Sequence, residues 1–222
     1  MCGRFTSLLS PELLKSVYGV RPPASLAPRY NIAPTQQVHI IREDDAGNKE
    51  CTEMRWGLVP RWAKDISIGN KLINARCETV AEKPSFRNAI HHRRCIVPAS
   101  GFFEWGATPK GKVPHYITAR DGSPFSIAGI WETWKTPDGG MLESFALLTS
   151  DANLLMATIH ERMPVILKPS DFAAWLDRSV TDPQKLQRIY QPYPADLMQA
   201  WPVSTFVNSP AHIGEECIHR VP

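Results

Sequence analysis

Phe125-Ser126-Ile127-Ala128-Gly129-Ile130-Trp131, the turn Pro137-Asp138-Gly139-Gly140, and Glu143-Ser144-Phe145-Ala146-Leu147-Leu148-Thr149 decide the fold class. Two short apolar runs rich in aromatic and β-branched residues, parted by a Pro/Gly turn, read as strand, turn and strand. Working outward, residues 38–42, 53–58, 94–98 and 115–119 repeat the pattern, each run bounded by Gly, Pro or Asp. Helical signals lie at the flanks. Ser10 reads as an N-cap with Pro11 at the first helical position, opening a helix to about Tyr18. Ser150-Asp151-Ala152-Asn153 is expected to open another through Leu154, Leu155 and Met156, ending near His160. Pro169-Ser170-Asp171 and Asp182-Pro183 open two more. The expected class is α+β: a single domain over 1–222 with a β-rich, mostly antiparallel core and peripheral helices.

The composition agrees with a globular chain. Of 222 residues 43% are hydrophobic and 21% charged, and 25 Lys+Arg against 22 Asp+Glu leave a formal charge of +3. That balance excludes a disordered chain. It permits nucleic-acid binding without arguing for it. No apolar run approaches the ~20 residues of a membrane span, and Met1-Cys2-Gly3-Arg4-Phe5 does not open like a signal peptide, so a cytoplasmic location is expected. Twenty prolines, nearly twice the usual share of about 5%, imply stiff, defined loops. Cys2, Cys51, Cys77, Cys95 and Cys217 are odd in number and none is spaced CxxC, so no disulfide framework, zinc site or other metal is expected. Reduced, buried thiols suit Cys51, Cys95 and Cys217. No Gly-rich phosphate loop is present, and no cofactor is expected.

Cys2 is the most informative position. Removal of Met1, usual before a small residue, leaves an α-amine and a thiol on one residue. An α-amine with a pKa of about 7.7–8.0 is partly neutral near pH 7. It can attack an aldehyde, and the thiol can close the resulting imine to a thiazolidine. An incidental cysteine in a frayed terminus is the plain alternative.

Four further stretches carry polar groups in unusual settings. Asn74, Arg76 and Glu78 follow Leu72-Ile73. Glu104 sits between aromatic residues in a loop-like Gly101-Phe102-Phe103-Glu104-Trp105, where lost hydration favours the acid form. His160 precedes the stiff turn Glu161-Arg162-Met163-Pro164. Arg55-Trp56-Gly57-Leu58-Val59-Pro60-Arg61-Trp62 alternates Arg and Trp around Gly and Pro. Each has a plain alternative: an ion pair for Glu104, a helix C-cap for His160, a turn for Asn74, core packing for Trp56 and Trp62. His91-His92-Arg93-Arg94 reads as a solvated basic run.

Together with Met1-Cys2-Gly3-Arg4-Phe5 and Arg29-Tyr30-Asn31-Ile32-Ala33-Pro34-Thr35, these blocks resemble, in order, those of the SRAP (SOS response-associated peptidase) family. The resemblance implies a β-rich domain that binds single-stranded DNA carrying an abasic site. It also implies a covalent thiazolidine between Cys2 and the ring-opened sugar. By position, Cys2 matches the nucleophile, Asn74 the amide at its terminus, Glu104 the acid and His160 the imidazole near the sugar. Arg4, Arg76 and Arg162 match arginines near the DNA backbone, with Trp56 and Trp62 as stacking surfaces. A monomer, nucleoid-associated when DNA-bound, is expected. Phe103 stands where the family often has Tyr, and Cys77 adds a second thiol. Two other functions stay open: an N-terminal-nucleophile peptidase using Cys2, and a nucleic-acid binding module without chemistry.

Overall fold

The computed structural model describes residues 2–221; the expected removal of Met1 concerns a residue outside them. Thirteen strands follow in order among the described residues: β1 Arg4–Ser7, β2 Arg29–Ile32, β3 Gln37–Glu43, β4 Lys49–Trp56, β5 Asn74–Arg76, β6 Arg94–Ala99, β7 Gly101–Thr108, β8 Gly111–Ala119, β9 Phe125–Lys135, β10 Met141–Asp151, β11 Arg162–Pro164, β12 Ile166–Leu167 and β13 Met198–Pro202. The decisive hairpin is β9–β10, antiparallel from Met141 opposite Lys135 to Leu147 opposite Gly129.

One sheet runs β13-β8-β7-β1-β2. The other runs β11-β10-β4-β3-β6-β9-β12, with β5 on β10. Because β9 also pairs with β10, strands β10-β4-β3-β6-β9 close into a five-stranded ring, a small barrel without free edges. Only the pairings of β10 with β4 and β5 are parallel among those formed. The expected α+β class with a mostly antiparallel core is therefore what the chain adopts.

The two-residue period of the strands divides the interior. Val38, Ile40, Trp56, Val97, Ile127, Phe145 and Leu147 pack with Phe5, Phe102 and Ile117 of the first sheet. Their neighbours Ile41, Ile96, Ala128, Ile130, Ala146 and Leu148 pack under the helices, against Leu14, Tyr18, Ile90, Phe172 and Trp175. A third cluster of Phe103, Tyr116, Val203, Val207 and Cys217 lies on the far side of the first sheet, under the C-terminal segment.

The helices are short. Ser10 caps Pro11–Leu13, its Oγ accepting from the Leu13 N–H at 3.1 Å, and a π-turn continues to Tyr18. Gly19 ends the turn at φ 69°, a conformation that costs glycine little. Two expectations need correction. Gly101-Phe102-Phe103-Glu104-Trp105 is not a loop but the body of β7, held between β1 and β8. No helix opens at Ser150. β10 continues to Asp151, paired with Arg162, and only a 3-10 turn at Met156–Thr158 follows.

The basic run at 91–94 is not all solvated surface either. Arg94 is buried and donates to the Ile90 and His91 carbonyls at 2.7 and 3.1 Å and to that of Trp175 at 2.6 Å; Nη2 reaches the Asp177 carbonyl. It thus ties the ends of the helices Arg87–His92 and Phe172–Leu176 together, satisfying carbonyls that helix termini leave orphaned. Arg94→Met is expected to destabilise the fold by about 3 kcal/mol or more, since buried acceptors lose their donors, read as a lowered urea midpoint at unchanged slope.

Candidate active site

The site begins with β1. Arg4 lies opposite Phe103 and Phe5 opposite Phe102. Continuing this register sets Gly3 opposite Glu104, so the start of the chain runs beside the carboxylate. Cys2 is fully buried, its Sγ 3.8 Å from the Arg4 carbonyl oxygen. Burial, reinforced by the nearby Glu104 charge, pushes the Cys2 thiol far above its ordinary pKa. The thiol is therefore held as S–H and is a weak nucleophile as it stands.

Asn74 comes from the other sheet, on β5 opposite Leu147. Its Nδ2 donates to the Cys2 carbonyl at 2.8 Å. Asn74 Oδ1 is buried without a hydrogen-bond partner among the described residues. Glu104 is buried on β7, opposite His115 of β8. Phe102 shares the face of β7 that carries Glu104 and packs with Cys2 and Phe5, whereas Phe103 turns to the opposite face, 4.9 Å from the Tyr116 ring. The hydroxyl that Phe103 lacks relative to Tyr is thus remote from Glu104.

His160 follows the 3-10 turn rather than a helix. Its Nδ1 accepts the Arg162 backbone N–H at 3.0 Å, which places the hydrogen of the neutral ring on Nε2. Glu104 and His160 line one cleft of about 340 Å³ with Trp105, Lys112 and Asn208. Two sheets and two loops thus bring Cys2, Asn74, Glu104 and His160 near one another. Sequence reading missed Lys112 and Asn208, because neither lies in an unusual local context.

The expected DNA-contacting residues divide. Trp56 is fully buried, stacked near-parallel on Phe145 at 6.4 Å and tilted against Phe5 at 5.0 Å. It has no face for a base, and the stacking role is corrected. Its Nε1 donates instead to the Ile73 carbonyl at 3.0 Å, fixing the residue before Asn74. Trp62 is 58% exposed, beside Lys64 and Lys71 in a groove of about 400 Å³. The loop carrying it turns at Gly57, φ 116°, where a Cβ would meet the Gly69 carbonyl oxygen at 2.5 Å.

Arg76 is exposed, its backbone held by pairing with Thr149 and by the Thr79 N–H on its carbonyl, and its side chain makes no hydrogen bond or ion pair among the described residues. Arg4 and Arg162 are spent inside the protein. Arg4 donates to Asn31 Oδ1 and the Val207 carbonyl, both at 2.7 Å, and to the Asn208 carbonyl at 3.0 Å. Arg162 forms a two-pronged pair with Glu78 at 2.8 Å and meets Asp151 at 2.7 Å. In this state their roles are to fix the C-terminal segment and the 151–162 loop.

The five cysteines are free thiols. Cys77 faces a separate groove with Tyr190 and Gln187, and burial, with the Glu78 charge, raises it to about 12. Among the described residues, no three His, Cys, Asp or Glu side chains are grouped to hold a metal ion, and no helix is long and apolar enough to cross a membrane.

Comparison with known proteins adds to this geometry. The profile of the SOS response associated peptidase (SRAP) family matches residues 1–210. The chain is 43% identical over 222 residues to the abasic site processing protein YoqW of Bacillus subtilis, covering 98% of this chain and 99% of that one. It is 30% identical to the abasic site processing protein HMCES of Gallus gallus, covering 86% and 66%. A crystal structure of a Bacteroides thetaiotaomicron protein superposes over 100% of both chains, with TM-score 0.89 and 29% identity.

Proposed function

The chain belongs to the SOS response associated peptidase (SRAP) family, and from that premise we propose that it processes abasic sites in single-stranded DNA by covalent capture on Cys2. The observation that carries this reading is the placement of Cys2, buried beside Glu104, with the Asn74 amide on its carbonyl.

An abasic deoxyribose is mostly a closed hemiacetal, which an amine cannot attack. Glu104 delivers a proton to the ring oxygen while the C1 hydroxyl gives up its own proton to solvent, and the ring opens to the aldehyde. The Cys2 α-amine, freed by loss of Met1, adds to the aldehyde carbon; the carbinolamine loses water to give an imine. The Cys2 sulfur then adds to the imine carbon while its proton passes to nitrogen. The balance is aldehyde plus aminothiol to thiazolidine plus one water. Asn74 Oδ1 is a ready acceptor for an amine hydrogen, aiming the nitrogen lone pair at the sugar. His160, with its hydrogen on Nε2, donates toward the sugar oxygen.

The raised thiol pKa favours this order over the peptidase reading. A buried, protonated sulfur suits ring closure on a formed imine better than first attack on an amide. The test uses a single-stranded oligonucleotide carrying one abasic site, run on a denaturing gel. A shifted band that requires the lesion is expected. Binding without a covalent band would leave only the module, and peptide turnover without one would leave the hydrolase.

Trp62 supports the single-strand part of the reading. An exposed indole flanked by lysines suits a flexible strand whose bases stack on it. Trp62→Ala is expected to weaken non-covalent binding of a single-stranded oligonucleotide by about 1–3 kcal/mol, measured by fluorescence anisotropy. Unchanged affinity would remove Trp62 from the interface.

A further inference from the structure

Asn208 lies 104 positions beyond Glu104 in the sequence, yet both line the same cleft. Its backbone is pinned from two sides. The Asn208 carbonyl accepts from Arg4 Nη2 at 3.0 Å, and the preceding Val207 carbonyl accepts from Arg4 Nη1 at 2.7 Å and from Asn31 Nδ2 at 3.1 Å. Its side chain is oriented by a third contact: Trp105 Nε1 donates to Asn208 Oδ1 at 2.8 Å. An indole N–H is only a donor, so the oxygen must face Trp105 and the NH2 must face away. No described residue accepts from that Nδ2. Lys112, on β8, contributes an ammonium to the same cleft. The outer part of the cleft therefore offers donors, one fixed and one charged, outside the Glu104 carboxylate.

We propose that Asn208 and Lys112 form a phosphate subsite, which seats the phosphodiester next to the abasic sugar while Trp105 holds the Asn208 amide in its donating orientation. This deepens the proposed function and rests on it: the acid and imidazole act on the sugar, and the donors hold the anion attached to it. Two donors suit a phosphate oxygen, which only accepts, while the Glu104 carboxylate of the same cleft faces the sugar in this assignment. The C-terminal segment thereby gains a task beyond covering the first sheet, and Arg4 acts on substrate through Asn208.

The test separates binding from chemistry. A single-stranded oligonucleotide with a tetrahydrofuran abasic analogue has the phosphates but no aldehyde, and cannot crosslink. Asn208→Ala is expected to weaken its binding about tenfold, the scale of one hydrogen bond to a charged acceptor, and to raise the concentration of true abasic DNA needed for half-maximal crosslinking rate. The rate at saturating DNA should stay within about twofold of wild type, because in this assignment the group binds and does not transfer protons. Lys112→Ala should reduce the slope of log affinity against log salt by about one. Trp105→Phe should weaken binding in the wild-type background and add nothing in the Asn208→Ala background, a coupling that general destabilisation does not produce.

Asn208→Ala and Trp105→Phe proteins that bind the analogue like wild type would overturn the subsite, even where wild type crosslinks normally. Wild type that binds the analogue with these dependences but never crosslinks true abasic DNA would overturn the covalent reading and leave the subsite standing.

Discussion

With Cys2 replaced by alanine, the stable covalent band on abasic DNA is expected to disappear, a loss of at least about a hundredfold in yield, because the nucleophile that closes the intermediate is absent. The substitution removes one buried sulfur, which costs about 1 kcal/mol and leaves the fold intact. It also leaves an α-amine in place once Met1 is gone. The variant should therefore still form an imine, recoverable as a covalent product only when borohydride is added during the reaction. This pattern separates the two functions of one residue, nitrogen for capture and sulfur for permanence. A Cys2→Ala protein that crosslinks like wild type without borohydride would remove the thiazolidine from the account.

Glu104→Gln is expected to have the second largest effect. Glutamine keeps the shape of a side chain that is buried on β7 beside the start of β1, but it cannot deliver a proton. Loss of a positioned general acid slows a step by roughly 10²–10⁴-fold. Single-turnover crosslinking at saturating DNA should slow by about that factor, while affinity for the tetrahydrofuran analogue stays near wild type. The contrast with Asn208→Ala, in which affinity falls and the saturated rate holds, assigns chemistry to the inner cleft and binding to the outer one. Equal crosslinking rates for Glu104→Gln and wild type would return the carboxylate to a structural role.

The sheet-dominated fold was legible wherever a segment carries its own signal. Residues 125–131 and 143–149 are short apolar runs that bracket a Pro/Gly turn, and they form the β9–β10 hairpin. Ser10 and Asp182 announce their caps by residue type, and both side chains accept the expected backbone N–H. Where pairing partners decide, the local signal misleads. Gly101–Thr108 mixes glycines with a carboxylate and reads as a loop, yet β1 and β8 hydrogen-bond it on both sides. Ser150-Asp151-Ala152-Asn153 reads as the opening of a helix through Leu154, Leu155 and Met156, but the pairing of Asp151 with Arg162 extends β10 and leaves only one turn.

The site followed the same division. Cys2, Asn74, Glu104 and His160 each have a plain alternative taken singly, and it is their combination, in blocks that resemble the SRAP family in order, that marks them out. Trp56 could not be told from Trp62 by sequence: both stand in one Arg/Trp block, and only the sheet packing makes one core and the other surface. Asn208 was invisible for a stronger reason. Its role depends on contacts with Arg4 and Trp105, which lie more than a hundred positions away.

The most direct test of the central claim is the intact mass of the complex formed with an oligonucleotide carrying one abasic site, taken with and without borohydride treatment of the finished product. The predicted mass is that of the chain beginning at Cys2 plus the oligonucleotide less one water, unchanged by borohydride. A complex that retains Met1, or one whose survival depends on reduction, would contradict joint capture of the sugar by the nitrogen and sulfur of Cys2.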